Sequence, residues 1–302
     1  MSADGAVGVI GVPTSAGAFA PGQEQAPAAL REAGLVRLLR NGGLDVSDYG
    51  DCETWRWRPD RDRPRAQNLG KVVEFVRETA ARVGESILAR EITLVLGGDC
   101  TVGIGTVAAH AARSADVGLI YFDLHADLNI STSALPGALD WMGMAHMLGE
   151  EGAEEELVEA GSRAPLLTPE QVVLLGWGPE QARPHESEAI ERLGLEVIPV
   201  DQVRADPAGA ASTALESLPP RVDRVLVHFD VDVVDFTDTP LSENPGRNEG
   251  IAYEQSAAVL AVLLASPDLA GVTVAELNPN HVEAGAGSIE RLARDLAGGL
   301  AS

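Results

Sequence analysis

Cysteine occurs only twice in the 302 residues, at Cys52 and Cys100. A disulfide scaffold is therefore excluded, and the usage fits a reducing cytoplasm, where the protein is expected to work. Basic residues are scarce: 22 Lys+Arg face 46 Asp+Glu, a formal charge of −24. Nucleic-acid binding and polybasic membrane attachment both need clustered cations, so neither partner is expected. Such a charge favours solubility and attracts cationic ligands. No uninterrupted apolar run reaches the roughly 18 residues that a membrane span requires. No basic residue precedes Arg31, and Ala6–Ala20 is interrupted by Pro13 and several glycines, which reads as strand and loop rather than signal peptide. Aromatics are only 4%, yet hydrophobic residues reach 45%, too many for a disordered chain. That palette of small aliphatic residues suits helices packed on a sheet.

Short apolar runs alternate with longer helical patterns. Strands are expected at Val7–Val12, Leu44–Asp48, Thr93–Leu96, Val117–Asp123, Val172–Gly176, Glu196–Pro199, Arg224–Asp230 and Gly271–Leu277. Most are continuous Val/Ile/Leu runs without alternation, the pattern of strands buried on both faces. Helices are expected over roughly 26–40, 69–89, 102–113, 142–150, 180–193, 207–217, 253–266 and 284–298, with Pro27 and Pro207 near two starts. The alternation implies an α/β fold with a mostly parallel sheet of about eight strands and helices on both faces. No Pro/Ser-rich linker or repeat divides the chain, so 1–302 reads as a single domain. Thr54–Arg65 holds five arginines, two aspartates and two tryptophans, and reads as a solvated loop, a subunit contact or an active-site rim. Glu150–Glu159 reads as a solvated acidic helix or loop.

Ligands of open parallel sheets bind beyond the carboxyl ends of the strands. Three of the expected strands run into polar residues there: Gly97-Gly98-Asp99-Cys100, then Asp123-Leu124-His125-Ala126-Asp127-Leu128-Asn129, then Asp230-Val231-Asp232. A spacing of two in an extended chain points Asp123, His125 and Asp127 to one side. Carboxylates crowded at a buried strand end repel one another and lose hydration, a cost that divalent cations offset. With Asp230 and Asp232 the set is four carboxylates and one imidazole, suited to a pair of hard or borderline ions such as Mn²⁺.

These segments strongly resemble the arginase/agmatinase (ureohydrolase) family, with its G-G-D-H, D-x-H-x-D, S-F-D-x-D-x-x-D-P and E-x-N-P motifs. The counterparts are Gly97–Cys100, Asp123–Asp127, His228–Phe236 and Glu276-Leu277-Asn278-Pro279, in the same order over most of the chain. The resemblance implies a three-layer αβα sandwich around a binuclear manganese centre. It assigns one ion to Cys100, Asp123, Asp127 and Asp230, and the other to His125, Asp123, Asp230 and Asp232. It implies a small cationic guanidino or amidine substrate and a homo-oligomer, a trimer or hexamer. In the mechanism it suggests, the ions activate water and Asp127 orients it and relays its proton. Glu276 holds the cationic substrate, Asp140 completes proton transfer, and Asn129 matches a residue that contacts amino-acid carboxylates.

Four departures bear on this reading. Cys100 stands where the family has a histidine ligand. It is either a thiolate ligand, which favours zinc, cobalt, iron or nickel over manganese, or a small buried residue without a metal role. His228 replaces a small residue and shares strand parity with Asp230, so it is a compensating ligand, a supporting group or a core histidine. The 130–141 loop lacks the serine-rich recognition segment, with Pro136 and Asp140 at two of its positions, which argues against L-arginine; His146 is a displaced proton shuttle or an ordinary helix residue. Asp235-Phe236 replaces Asp-Pro and implies a local loop change. Two other readings stand beside the hydrolase: a weak or inactive homologue serving as a binding subunit, and a dinucleotide enzyme using Gly103-x-Gly105-x-x-Ala108.

Overall fold

The computed structural model describes residues 5–135, 137–244, 246–282 and 287–302. Pro136 and the start expected for the last helix, 284–286, lie outside the described residues. Eight strands form one sheet: β1 Ala6–Gly11, β2 Asp45–Asp51, β3 Ile92–Leu96, β4 Val117–Phe122, β5 Val172–Trp177, β6 Glu196–Pro199, β7 Arg224–Asp230 and β8 Leu269–Ala275. Their order is β2-β1-β3-β8-β7-β4-β5-β6 and all neighbours are parallel. Each expected strand is present, displaced by a few residues at most. The all-parallel pairing accounts for the unbroken aliphatic runs, because β4 is buried at every position and β7 at all but its first.

The helices are α1 Ala26–Glu32, α2 Leu35–Asn41, α3 Leu69–Leu88, α4 Val102–Ala111, α5 Gly143–Leu148, α6 Glu155–Val158, α7 Pro184–Leu193, α8 Val200–Ala205, α9 Pro207–Ser217, α10 Tyr253–Leu264 and α11 Ser288–Leu300. Residues 26–40 form two helices instead of one, because Gly34 takes a left-handed φ of 87° between them. The helix expected from 180 begins at Pro184, where a proline at the first turn costs no hydrogen bond.

Alternating strand side chains feed two cores. Val7, Leu94, Leu96, Ile120, Phe122, Val227 and Phe229 meet α1, α2 and α8 to α11 on one face. Ile10, Val95, Leu119, Tyr121, Val172 and Leu174 meet α3 to α7 on the other. The outcome is the three-layer αβα sandwich.

The G-x-G-x-x-A run is helical and not a phosphate loop. Gly103 and Gly105 lie inside α4, where a Cβ at 105 would come within 2.6 Å of the Val76 carbonyl of α3. These glycines serve close helix packing, and the dinucleotide reading loses its structural basis.

The strand order fixes the position of the site. From β3 the chain crosses over to β4, leaving a gap that β7 and β8 later fill. Strands β3, β8, β7 and β4 are thus consecutive neighbours at the centre of the sheet. Their carboxyl ends open on one edge, about 5 Å apart.

Candidate functional site

Each of the four central strands hands one segment to this edge. Beyond β3 come Asp99 and Cys100, beyond β4 come Asp123, His125 and Asp127, β7 ends on Asp230 and leads to Asp232, and beyond β8 comes Glu276. All of them except the half-buried His125 are buried. With Asn129 and Asp140, most of them line one cavity of about 650 Å³.

The D-x-H-x-D segment is not extended. β4 stops at Phe122, and Asp127 adopts a left-handed φ of 49°. The gathering of its side chains therefore comes from a folded turn held by hydrogen bonds. The N–H of His125 donates to Asp123 Oδ1 at 2.6 Å, and the carbonyl of Asp127 accepts from the N–H groups of Met144 and Ala145. Just beyond β7 the N–H of Asp232 likewise donates to Asp230 Oδ1 at 2.7 Å. Glu276 also has a left-handed φ, 63°, and its carboxylate is clamped by the N–H of Cys100 at 2.8 Å and by Gln23 Nε2 at 3.0 Å.

Three sets of possible ligand atoms each lie within 4.8 Å of one another: Cys100, Asp123 and His228; Cys100, Asp230 and Glu276; and Asp123, His125 and Asp232. The Cys100 thiol donates to Asp230 Oδ2 at 2.9 Å and sits 3.2 Å from His228 Nε2. His125 Nδ1 lies 3.1 Å from Asp232 Oδ2 and 3.4 Å from Asp123 Oδ1. Asp127 joins none of these sets among the described residues. Its Oδ2 accepts a 2.5 Å hydrogen bond from the Tyr121 hydroxyl while the residue lines the cavity. His228 on β7 is buried, stacked on Tyr121 at 4.4 Å between ring centroids, and faces Cys100, which follows β3 on the far side of β8.

Burial and mutual repulsion set the electrostatics of these acids. Burial, and then the charge of Asp232, push Asp123 up to about 7. Burial and neighbouring carboxylates also hold Asp127, Asp230, Asp140 and Glu276 well above the ordinary range. Asp232 is the exception: burial acts against its charge, but His125 outweighs it and lowers the pKa. Burial also works against a charged His125, yet Asp232 and Asp123 raise it. Burial pushes the Cys100 thiol up, reinforced by Asp230, and pushes His228 down to about 3. Two carboxylate oxygens, Asp123 Oδ2 and Asp232 Oδ1, are buried with no hydrogen-bond partner. Native structures seldom leave such atoms unmatched, and divalent cations fit this donor set.

Asn129 is buried in the cavity wall, its Oδ1 accepting from the Ser133 hydroxyl at 3.1 Å. Asp140 opens a turn of 3₁₀ helix and accepts from the N–H of Trp141. His146 takes no part: its nitrogens engage the Met142 carbonyl and the N–H of Glu154 inside α5 and its flank. Cys52 is buried away from the cavity, and burial with the nearby Glu78 lifts its thiol to about 12. The basic 54–65 loop packs by backbone bonds between Trp55 and both Pro13 and Ser15 and by the N–H of Trp57 donating to the Ser15 hydroxyl, and Arg56 pairs with Glu24.

Several residues at the site gave no signal in the sequence. Tyr121 hides within a β-strand run. Gln181 Oε1 accepts from His125 Nε2 at 2.7 Å, and Asn244 Nδ2 lies 3.4 Å from both that nitrogen and Asp232 Oδ2. Both come from loops with no motif, so only the fold brings them in.

Comparison with known proteins agrees with this geometry. The model of the arginase family matches residues 5–299. The arginase of Bacillus subtilis (strain 168) is 30% identical over 278 residues, 91% of each chain. Human arginase-1 is 28% identical over 279 residues, 91% of this chain and 85% of its own. The crystal structure of the Bacillus subtilis arginase superposes with a TM-score of 0.87, at 28% identity, over 98% of both chains.

Proposed function

The chain belongs to the arginase family, and from that premise we propose that it hydrolyses a C–N bond of a guanidino or other linear amidine compound, releasing urea or a related product, at a centre of two divalent ions. The observation that carries the reading is the meeting of four central strand ends in one acidic cavity with two orphaned carboxylate oxygens.

Asp123, Asp127, His125, Asp230 and Asp232 would hold the ions, with Cys100 in one ligand position. Four carboxylates balance two divalent charges, and a thiolate adds one negative charge and softness. His228 beside Cys100 adds a nitrogen donor to that half, so we assign it a preference shifted from manganese toward zinc, cobalt, iron or nickel. The chemistry that bound divalent ions supply is activation of water as a nucleophile near neutral pH.

The protein's own groups do the rest. Glu276, fixed by Cys100 N–H and Gln23, offers its carboxylate to the planar cation of the substrate. Asp127, held by Tyr121, orients the attacking water and passes its proton to the departing amine. Asp140, its pKa raised by burial and by the charges of Glu276, Asp99 and Asp127, completes the transfer. Asn129 contributes to substrate contact. Assembly as a trimer or hexamer is part of the same proposal, and sedimentation measures it.

The test is urea or formamide release from a panel of guanidino and formimino compounds after loading with manganese, zinc, cobalt or nickel. Asp127→Asn is expected to reduce turnover by a factor of about 10² or more while fold and metal content persist. Full activity in that variant sinks the role of Asp127. Fewer than one metal per chain after loading favours the binding-subunit reading instead.

A further inference from the structure

The buried lining of the cavity is acidic, but two of its less buried lining residues are basic. These are Arg183, just before α7 in the loop that follows β5, and Arg247, in the loop that follows β7. The Arg183 guanidinium lies over the ring of Trp141, 5.2 Å from its centroid. The Arg247 guanidinium lies over the ring of Phe236 at 5.1 Å. Both rings line the same cavity. Among the described residues neither arginine has a carboxylate within ion-pair distance, in a chain where acids outnumber bases 46 to 22.

The acids near them are otherwise engaged. Glu186 is buried, and its carboxylate accepts from the main-chain N–H of Arg183 at 3.1 Å, capping α7. Glu243 accepts from the side-chain amide of Asn278. Asp235 accepts from the N–H groups of Thr237, Glu249 and Gly250, which folds the 235–250 loop back and brings Phe236 and Arg247 to the cavity wall. The aromatic faces hold the two guanidinium planes by cation–π contact and leave their N–H edges for an acceptor.

We propose that Arg183 and Arg247 form an anion-reading rim, and that the substrate is a guanidino or amidine compound whose far end is an anion carrying no ammonium group. This rests on the hydrolase reading above. The buried acids take the cation and the rim takes the carboxylate, so the two ends of the substrate are sorted by charge. A second cation at the far end, as in agmatine, meets two arginines. A zwitterionic end, as in L-arginine, places an ammonium beside them.

The experiment compares agmatine, L-arginine and a series of ω-guanidino carboxylic acids of increasing methylene count, using the metal-loaded full chain. Both kcat/KM and calorimetric affinity are measured. At least one guanidino acid is expected to exceed agmatine by about tenfold or more, the worth of a charge-assisted hydrogen bond. The double variant Arg183→Gln/Arg247→Gln is expected to lower the acid-to-agmatine ratio by about tenfold or more. Arg→Lys at the same positions restores part of that ratio. Equal preference for agmatine in the parent, or an unchanged ratio in the double variant, overturns the rim. Selective binding of a guanidino acid without turnover of any compound supports the rim and counts against the hydrolase reading alone. Absence of binding by every guanidino acid overturns the rim.

Discussion

Cys100 and His228 are best understood as a pair. A cysteine is shorter than a histidine, and here an imidazole from β7, two strands from β3, comes within 3.2 Å of the sulfur. Without a cation the thiol stays protonated, since burial and Asp230 both raise it. A bound cation reverses that preference and makes it a thiolate. A cobalt(II)-loaded sample is therefore expected to show a near-ultraviolet thiolate-to-cobalt band that Cys100→Ser abolishes. An identical spectrum in the variant removes Cys100 from the ligand set. His228→Asn is expected to weaken metal retention by about 10- to 100-fold, read by chelator competition. Tyr121 makes a second residue-level case. Its hydroxyl bond lowers the pKa of Asp127 against the larger effects of burial and Asp123, which raise it. Tyr121→Phe removes the lowering contribution, so Asp127 holds its proton to higher pH and the acid limb of the rate profile moves upward. We expect kcat to fall by about tenfold with little change in KM. A loss of stability with an unmoved acid limb shows Tyr121 to be structural only.

At the scale of elements, the turns that leave the strands carry the demanding geometry. Gly98 follows β3, and a Cβ there would fall 1.6 Å from the carbonyl oxygen of Thr14. That neighbour is backbone and cannot rotate away, so Gly98→Ala is expected to cost about 3 kcal/mol or more. Gly84, inside α3, meets nothing within 4 Å, and Gly84→Ala is expected to stabilise by about 0.4–1 kcal/mol. Denaturant midpoints of the two variants should move in opposite directions, and equal shifts contradict the packing argument. The same contrast explains what the sequence made legible. Strands buried on both faces, such as β3, β4 and β7, announce themselves by unbroken aliphatic runs, and the polar residues at their ends could be read with them; the half-exposed β2 and β6 are legible from their place in the strand–helix alternation. The left-handed turns at Asp127 and Glu276 could not be read, because they depend on bonds to distant segments such as Met144 and Cys100. Gln181, Asn244, Arg183 and Arg247 sit in irregular loops, where position in the sequence carries little information about position in space. The D-x-H-x-D spacing pointed to the site for an incomplete reason: the pattern identified the residues, but a turn rather than an extended strand brings them together.

For the molecule as a whole, the central strand ends concentrate like charge that the fold alone does not neutralise. Asp123 has a pKa of about 7 in the folded chain against an ordinary 3.8, with burial the main cause. Between those values the folded state binds a proton that the unfolded state has released. The associated stability is complete at low pH and lost as pH rises through about 7. Asp127, Asp230, Asp140 and Glu276 shift in the same direction. The buried histidines work the other way. His110 is lowered to about 3, first by burial, and His146 to about 4 for the same first reason. Their contribution is present above the unfolded value near 6.5 and is lost as pH falls toward the folded ones. A metal-free sample thus has opposing slopes across the acid range, and its melting temperature alone does not separate them. The difference between metal-loaded and chelated samples does, because His110 and His146 lie outside the cluster and contribute to both. Cations compete with protons for the carboxylates, so the gap in melting temperature is expected to be small near pH 4 and to widen steadily toward pH 8. A gap that stays constant with pH would mean that the clustered acids are not where the ions bind.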